Sequence, residues 1–347
     1  MPGDEQASTQ PIDWHWLWPV LKWTLFALVL WFVGRKAWEL WRDGEVGPVT
    51  LKWPWLFPAF GLYLVGWLPS IWFWRRLLFD FGCRPSWRDV AHAYFCGHLG
   101  KYVPGKASVV VIRAGMLKVS GCPVGATALT TTYEVLVFMG VGAAVAFALA
   151  PFALPVASWR SMLFALRLEI LESHPLWFTL TVTMLCIAGV PPMAGLLGFV
   201  ARKLVRSADV EDSNGADNDS ATSYRLGSRF LLGSCLAFAL SWVIQGLSLG
   251  CTLRAVGVAA PLMDSLRWTG DVALSTFVGF VAVIAPGGVG VREGLLTSLL
   301  LDHPAVSHPQ AVASAWLLRA VWLAAEIIAA VGLTSRFRRS KALQNAN

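Results

Sequence analysis

The chain has 347 residues, of which 56% are hydrophobic and only 14% charged, with a mean hydropathy of +0.57. A soluble domain carries about a quarter charged residues, so this one lacks the polar surface needed to coat a water-soluble globule. The net charge of +7 lies in short basic clusters between apolar runs, which marks membrane topology and anionic-lipid contact and excludes nucleic acid as a partner.

In chain order, residues 1–16 form an N-terminal tail whose first thirteen residues hold no Lys or Arg, so no cleaved secretory signal is expected. A helix needs about 20 apolar residues to cross the hydrocarbon core, and six segments qualify. They are 17–34, 54–74, 123–150, 177–200, 229–252 and 311–334. Trp14, Trp16, Trp18, Trp53, Trp55, Trp72 and Trp74 stand near the ends of such runs, where an indole anchors at headgroup level. Two other apolar stretches, 89–118 and 271–301, are broken near their centres at Pro104-Gly105 and Pro286-Gly287-Gly288. Proline removes a helix donor, glycine permits a tight reversal, and each half is too short to cross. Each stretch therefore reads as a re-entrant hairpin, which is tolerated at depth only where protein or a polar cavity surrounds it. Residues 207–223 are polar and free of basic side chains, and read as a disordered cytoplasmic linker. The six Cys are scattered without a CxxC pair, His303 and His308 each precede Pro in a loop, and neither metal nor cofactor is expected.

With both hairpins re-entrant, the ends of the second, fourth and sixth crossings share one side of the membrane. That side collects Arg75, Arg76, Arg84, Arg88 and Lys118, then Arg202, Lys203, Arg206, Arg225 and Arg229, then the tail cluster Arg336, Arg338, Arg339 and Lys341. Fewer basic residues fall opposite, so the first side is predicted to be cytoplasmic, with both termini there. Each half runs crossing, crossing, broken hairpin, crossing, and PGKASVVVIRAGML at 104–117 echoes PGGVGVREGLL at 286–296. Three crossings per half is odd, so the second half enters upside down, as in inverted-repeat transporters. The expected fold is all-α and membrane-integral, with about six spanning helices and two Pro-Gly-broken re-entrant hairpins in two inverted-topology repeats. The first repeat is 17–150, an external connection covers 151–176, the second repeat is 177–335, and 336–347 form a basic cytoplasmic tail.

Arg113, Arg292, Glu293, Glu134, Arg319 and Glu326 are ionisable residues in or beside apolar runs, and each needs a partner or a water-filled cavity. Arg319 and Glu326 are two helical turns apart and share a face, where they either serve a site or tie the last helix to its neighbours. Arg292 and Glu293 are adjacent and point apart, so one faces the cavity and the other braces the hairpin. Glu134, behind the Thr-rich turn TALTTTY, is a candidate counter-ion for one of the arginines. Helices starting after Pro104 and Pro286 would aim free N–H groups and positive dipole ends at mid-membrane. Gly105, Gly287, Gly288 and Gly290 either let a phosphate approach the backbone or merely allow tight packing. Lys101, Lys106, Arg113 and Arg292 add positive charge, and arginine suits phosphate through its bidentate fork. The candidate substrate-binding set is therefore Arg113, Arg292, Lys101, Lys106, Gly105, Gly287, Gly288, Gly290, Glu293 and Glu134.

LGKYVPGKASVVVIRAGML and APGGVGVREGLL resemble the signature segments of the bacterial lysylphosphatidylglycerol synthase/flippase transmembrane family, and the resemblance runs from about residue 15 to 335. It implies a two-repeat flippase fold in the cytoplasmic membrane and a phospholipid or isoprenoid-phosphate lipid as substrate. The third crossing departs from the family's acidic–basic pair followed by Asp: it reads Tyr133-Glu134-Val135-Leu136-Val137-Phe138, and only the Glu matches. The aminoacyl-transferase domain of the synthases is not expected after the last helix, so aminoacylation is not expected either. The leading reading is a lipid transporter without a nucleotide motif and not an enzyme. The alternatives are a membrane-embedded transferase on lipid phosphates, with Glu134 or Glu293 as base, and an accessory subunit of a lipid-modifying enzyme. Expected partners are membrane lipids, with a second copy of the chain or a lipid-synthesis enzyme as further candidates. Cysteines placed at Ser213 and Ser340 should label from the cytoplasm and one at Ser307 from outside, measured with impermeant maleimide. Cytoplasmic labelling at Ser307 would mean that the second hairpin crosses completely.

Overall fold

The computed structural model describes residues 51–102, 107–154, 156–165, 174–209, 227–282 and 286–344, together with Trp31 and Arg35. Most of the first predicted crossing, Trp14, Trp16 and Trp18, most of the polar linker, and Pro104, Gly105 and Lys106 lie outside the described residues. Every regular element among the described residues is helical. The helices are α1 (Leu56–Gly66), α2 (Leu68–Asp80), α3 (Trp87–Leu99), α4 (Ala107–Lys118), α5 (Val124–Ala148), α6 (Ala150–Ala153) and α7 (Val156–Ala165). They continue with α8 (Pro175–Asp209), α9 (Ser228–Ala255), α10 (Ser265–Val281), α11 (Val291–Leu301) and α12 (His308–Gln344).

Five stretches are long and apolar enough to cross a membrane: Trp53–Asp80, Val124–Ala148, Pro175–Gly195, Ser228–Ala255 and His308–Ser335. They coincide with the second to sixth predicted crossings. The remaining long helices come in two short pairs. Helices α3 and α4 have 13 and 12 residues, α10 and α11 have 17 and 11, and each pair packs on itself. At 1.5 Å per residue these are about 20, 18, 25 and 17 Å long, against about 30 Å of hydrocarbon. Ser86 starts α3 by accepting the Asp89 N–H at 3.2 Å, the usual service of an N-cap serine. The second pair reverses at a 3-10 turn over Pro286–Gly288, where Gly287 (φ 60°) and Gly288 (φ 68°) take left-handed conformations that side chains disfavour. That turn meets the 3-10 turn Gly100–Tyr102 that follows α3, so the two pairs touch at their tips.

Helices α5, α9 and α10 form the centre, with α1, α2, α4 and α12 packed around them. The core is unusually aromatic. Phe138 stacks on Trp242 at 4.9 Å between centroids, and Trp242 Nε1 donates to the Phe138 carbonyl at 3.3 Å. Glycines let α9 approach α10: a Cβ added at Gly246 would lie 2.7 Å from Thr269 Cα and 2.8 Å from its amide nitrogen. Helix α8 is only 17% buried over its spanning window, so most of it is left for lipid.

Two expectations change, and two stretches gain detail. TALTTTY is not a turn but part of α5, because the Thr127, Thr130 and Thr132 hydroxyls donate to carbonyls four residues back and remain satisfied within a helix. Trp74 is not an interfacial anchor: it is fully buried, its Nε1 donating to Thr130 Oγ1 at 3.2 Å. The connection 151–176 carries the short helices α6 and α7 in its described part. The last helix runs on to Gln344, since SRFRRSKALQ holds neither Gly nor Pro to stop it.

Gly246→Val should cost about 1–3 kcal/mol of stability, because backbone atoms at Thr269 have no room to retreat. Gly233→Ala, where a Cβ meets nothing within 4 Å, is the control and should not lower the melting temperature in detergent.

Candidate functional site

Among the described residues, three clusters of buried charge lie between the helices, built from residues the sequence leaves alone in apolar runs. In the first, Arg113 of α4 places Nη1 2.8 Å from Glu134 Oε2 of α5. Tyr94 donates its hydroxyl to Glu134 Oε1 at 3.0 Å, and the guanidinium lies over the rings of Tyr94 (4.0 Å) and Trp74 (4.7 Å). Gly97 makes room for it: an added Cβ would stand 2.5 Å from Arg113 Cγ. Arg113 is 1% exposed. Among the candidate cations it is thus the one most completely committed within the protein.

The second cluster holds the tip of the α10–α11 pair. Arg319 of α12 donates to Glu293 Oε1 at 3.0 Å and to the Gly287 carbonyl at 3.1 Å. Glu293 also accepts the Gly290 N–H at 2.7 Å, closing the first turn of α11. The anion expected at this helix start is therefore supplied by the chain itself, and a carboxylate there suits the helix dipole. Gly288 is buried against Gly279, where a Cβ would stand 2.9 Å from the Gly279 carbonyl oxygen. Gly288 thus serves close packing.

The third cluster holds the other tip. Lys101 Nζ lies 2.5 Å from Glu326 Oε1 of α12, and the Tyr63 hydroxyl donates to the same oxygen. His98 Nε2 stands 3.7 Å from it, its ring packed against Trp67 and Tyr94. The Lys101 side chain is 28% exposed, the most open of these cations. Helix α12 therefore grips the second tip through Arg319 and the first through Glu326. Tyr102 lies between, under Arg319 at 5.0 Å and beside Gly287.

Arg292 differs from the others. Its guanidinium lies over Trp322 at 4.2 Å, within electrostatic reach of Arg319, Glu293, Tyr63 and Tyr102. It is 9% exposed and has no carboxylate or hydrogen-bond partner among the described residues. Of the adjacent pair, Glu293 braces the tip and Arg292 is the one left open. Where the tips meet, Lys101, Arg292 and Arg319 face Glu293 and Glu326, an excess of one positive charge among the described residues.

Sequence reasoning did not single out Tyr63, Tyr94, Tyr102, His98 or Trp322. A signal existed: the chain has only 5 Tyr, and three of them touch these carboxylates or cap these cations.

The fold and these clusters define a multi-pass, all-α membrane protein whose broken helix pairs are pinned at their tips by buried charge. Residues 16–330 match the family model described as the lysylphosphatidylglycerol synthase TM region, and the chain belongs to that family. Membership gives it a membrane-lipid-related role. No curated protein and no solved structure matches the chain.

Arg113→Ala should lower stability by about 3–5 kcal/mol, because it strands Glu134 in the core. Replacing both partners together, as Arg113→Met with Glu134→Leu, should restore much of the lost melting temperature in detergent.

Proposed function

We propose that the protein is a flippase-like transporter of the cytoplasmic membrane, not an enzyme. It passes the anionic headgroup of a phospholipid or isoprenoid-phosphate lipid between two re-entrant helix pairs of opposed orientation, while the tails stay in the bilayer. The observation that carries this reading is Arg292, a buried guanidinium beside the meeting tips without a direct ion pair or hydrogen bond among the described residues, its neighbour Glu293 being held by Arg319. Leaving a charge so placed costs several kcal/mol, which a phosphate guest would offset through a bidentate contact. Lys101, the most exposed cation at the tips, supports an approach from its side. The two bases read from the sequence for a transferase, Glu134 and Glu293, are each held by an arginine, which counts against that form of the alternative.

Arg292→Ala should remove a charge-assisted contact of about 1.5–3 kcal/mol, slowing lipid movement about tenfold to a hundredfold while the protein still inserts and purifies. Arg292→Lys should rescue part of it, since an ammonium lacks the planar fork. The measurement is dithionite accessibility of a fluorescent phosphatidylglycerol in proteoliposomes, normalised to folded protein. Wild-type movement by Arg292→Ala would overturn the headgroup assignment.

A further inference from the structure

One buried acid takes part in none of these clusters. Asp271, on α10, is 0% exposed, and neither of its carboxylate oxygens has a hydrogen-bond partner. An ionised carboxylate without donors is among the costliest groups to hold in a protein interior, and a proton on it removes that cost.

Its position along the helix is informative. Arg267, Asp271, Ser275 and Gly279 follow one another at four-residue intervals and form one ridge of α10. Both ends of that ridge touch α11. Arg267 Nη2 reaches the Leu299 carbonyl at 3.5 Å, and a Cβ on Gly279 would stand 3.1 Å from Arg292 Cβ. Asp271 therefore belongs to the α10–α11 seam, between the end where α11 stops at Asp302 and the tip where Arg292 stands. Two turns, about 12 Å along the axis, separate its level from that of Gly279.

The charged groups around it are few. Arg267 on its own helix and Asp302 at the end of α11 act on it electrostatically. From the other elements packed on α10, Glu134 of α5 is held by Arg113, and Glu293 of α11 by Arg319. Asp264, just before α10, lies 3.1 Å from His303, while Arg254 of α9 donates to the Ala260 carbonyl. Helix α6 carries no titratable side chain. On the seam beyond Arg267, Arg292 stands beside Glu293, whose carboxylate Arg319 already holds.

We propose that Asp271 is a proton-binding site coupled to the headgroup site at Arg292, so that lipid and proton move together. The proposal rests on the transport reading above. A lipid phosphate seated at Arg292 adds negative charge to the same low-dielectric seam, which raises the cost of an ionised Asp271. When phosphate occupies Arg292, Asp271 takes a proton from water on the side the lipid came from, forming an O–H bond on one carboxylate oxygen. When phosphate leaves, that bond breaks and the proton passes to water on the other side. The carboxylate is restored and no other group is consumed.

The test uses the purified full chain in proteoliposomes with a trace of fluorescent phosphatidylglycerol. For one proton per headgroup, a pH difference of one unit should shift the steady-state distribution of the probe between leaflets by about tenfold, with the sign following the gradient. Asp271→Asn should abolish the shift, bringing the ratio to that found without a gradient, and Asp271→Glu should retain it. A gradient response that persists in Asp271→Asn, or its absence in a wild-type protein that moves lipid, overturns the coupling. Infrared spectroscopy of the detergent-solubilised protein judges the site separately. A carboxylic acid C=O band that titrates in wild type, shifts in Asp271→Glu and is missing in Asp271→Asn is the expected result. Lack of such a titrating band overturns the proton site. If the band is present but wild-type protein moves no lipid, the transport reading fails and with it the coupling.

Discussion

The structure depends on the expense of holding charge in hydrocarbon. Helices α3, α4 and α11 are too short to cross, so their connecting turns sit among other helices, where backbone groups and charged side chains must find partners within the protein. Two salt bridges from a single helix do this work. Arg319 holds Glu293 and the Gly287 carbonyl, and Glu326 holds Lys101. They act together with close packing at the tips, where Gly288 lies against Gly279 and Gly287 against Tyr102. Polar contact sets position here, and aromatic packing around Phe138 and Trp242 fills the space that remains.

The same accounting separates structural from functional cations. Arg113 has a carboxylate and two aromatic rings against it, with its Nε lacking a hydrogen-bond partner, and Gly97 leaves it room. Arg319 has two oxygen partners. Arg292 has the face of Trp322 and a share of Glu293, with no direct ion pair or hydrogen bond among the described residues. A guest that brings negative charge gains most at the group the fold has left least satisfied, so the three arginines are not interchangeable as ligands although the sequence presents them alike.

Much of this was legible in the residues. Length and hydropathy locate five spans, and Pro-Gly clusters locate the breaks, because backbone geometry at those positions is local. Isolated charges in apolar runs mark buried ion pairs, for the cost of a lone charge does not depend on which partner is found. The pairings themselves were not legible. Lys101 and Glu326 are 225 residues apart, and nothing local says that α12 rather than a nearer helix receives the lysine. Trp74 reads as an interfacial anchor because the end of an apolar run resembles a membrane boundary, while only the packed structure shows Thr130 and Arg113 against it. Asp271 also stayed hidden. It stands at the very start of the second broken stretch, where an acid looks like a boundary residue, whereas α10 begins six residues earlier and carries it inward.

Arg319 and Glu326 lie seven residues apart on one continuous helix, about 10 Å along its axis. A helix of this length is stiff in compression, so the two tips are fastened to a common shaft. Sliding or turning α12 strains both salt bridges in the same stroke, and releasing one tip while the other stays seated requires the shaft to bend or a bridge to break. The two broken pairs are thus geared together mechanically, with α12 as the axle.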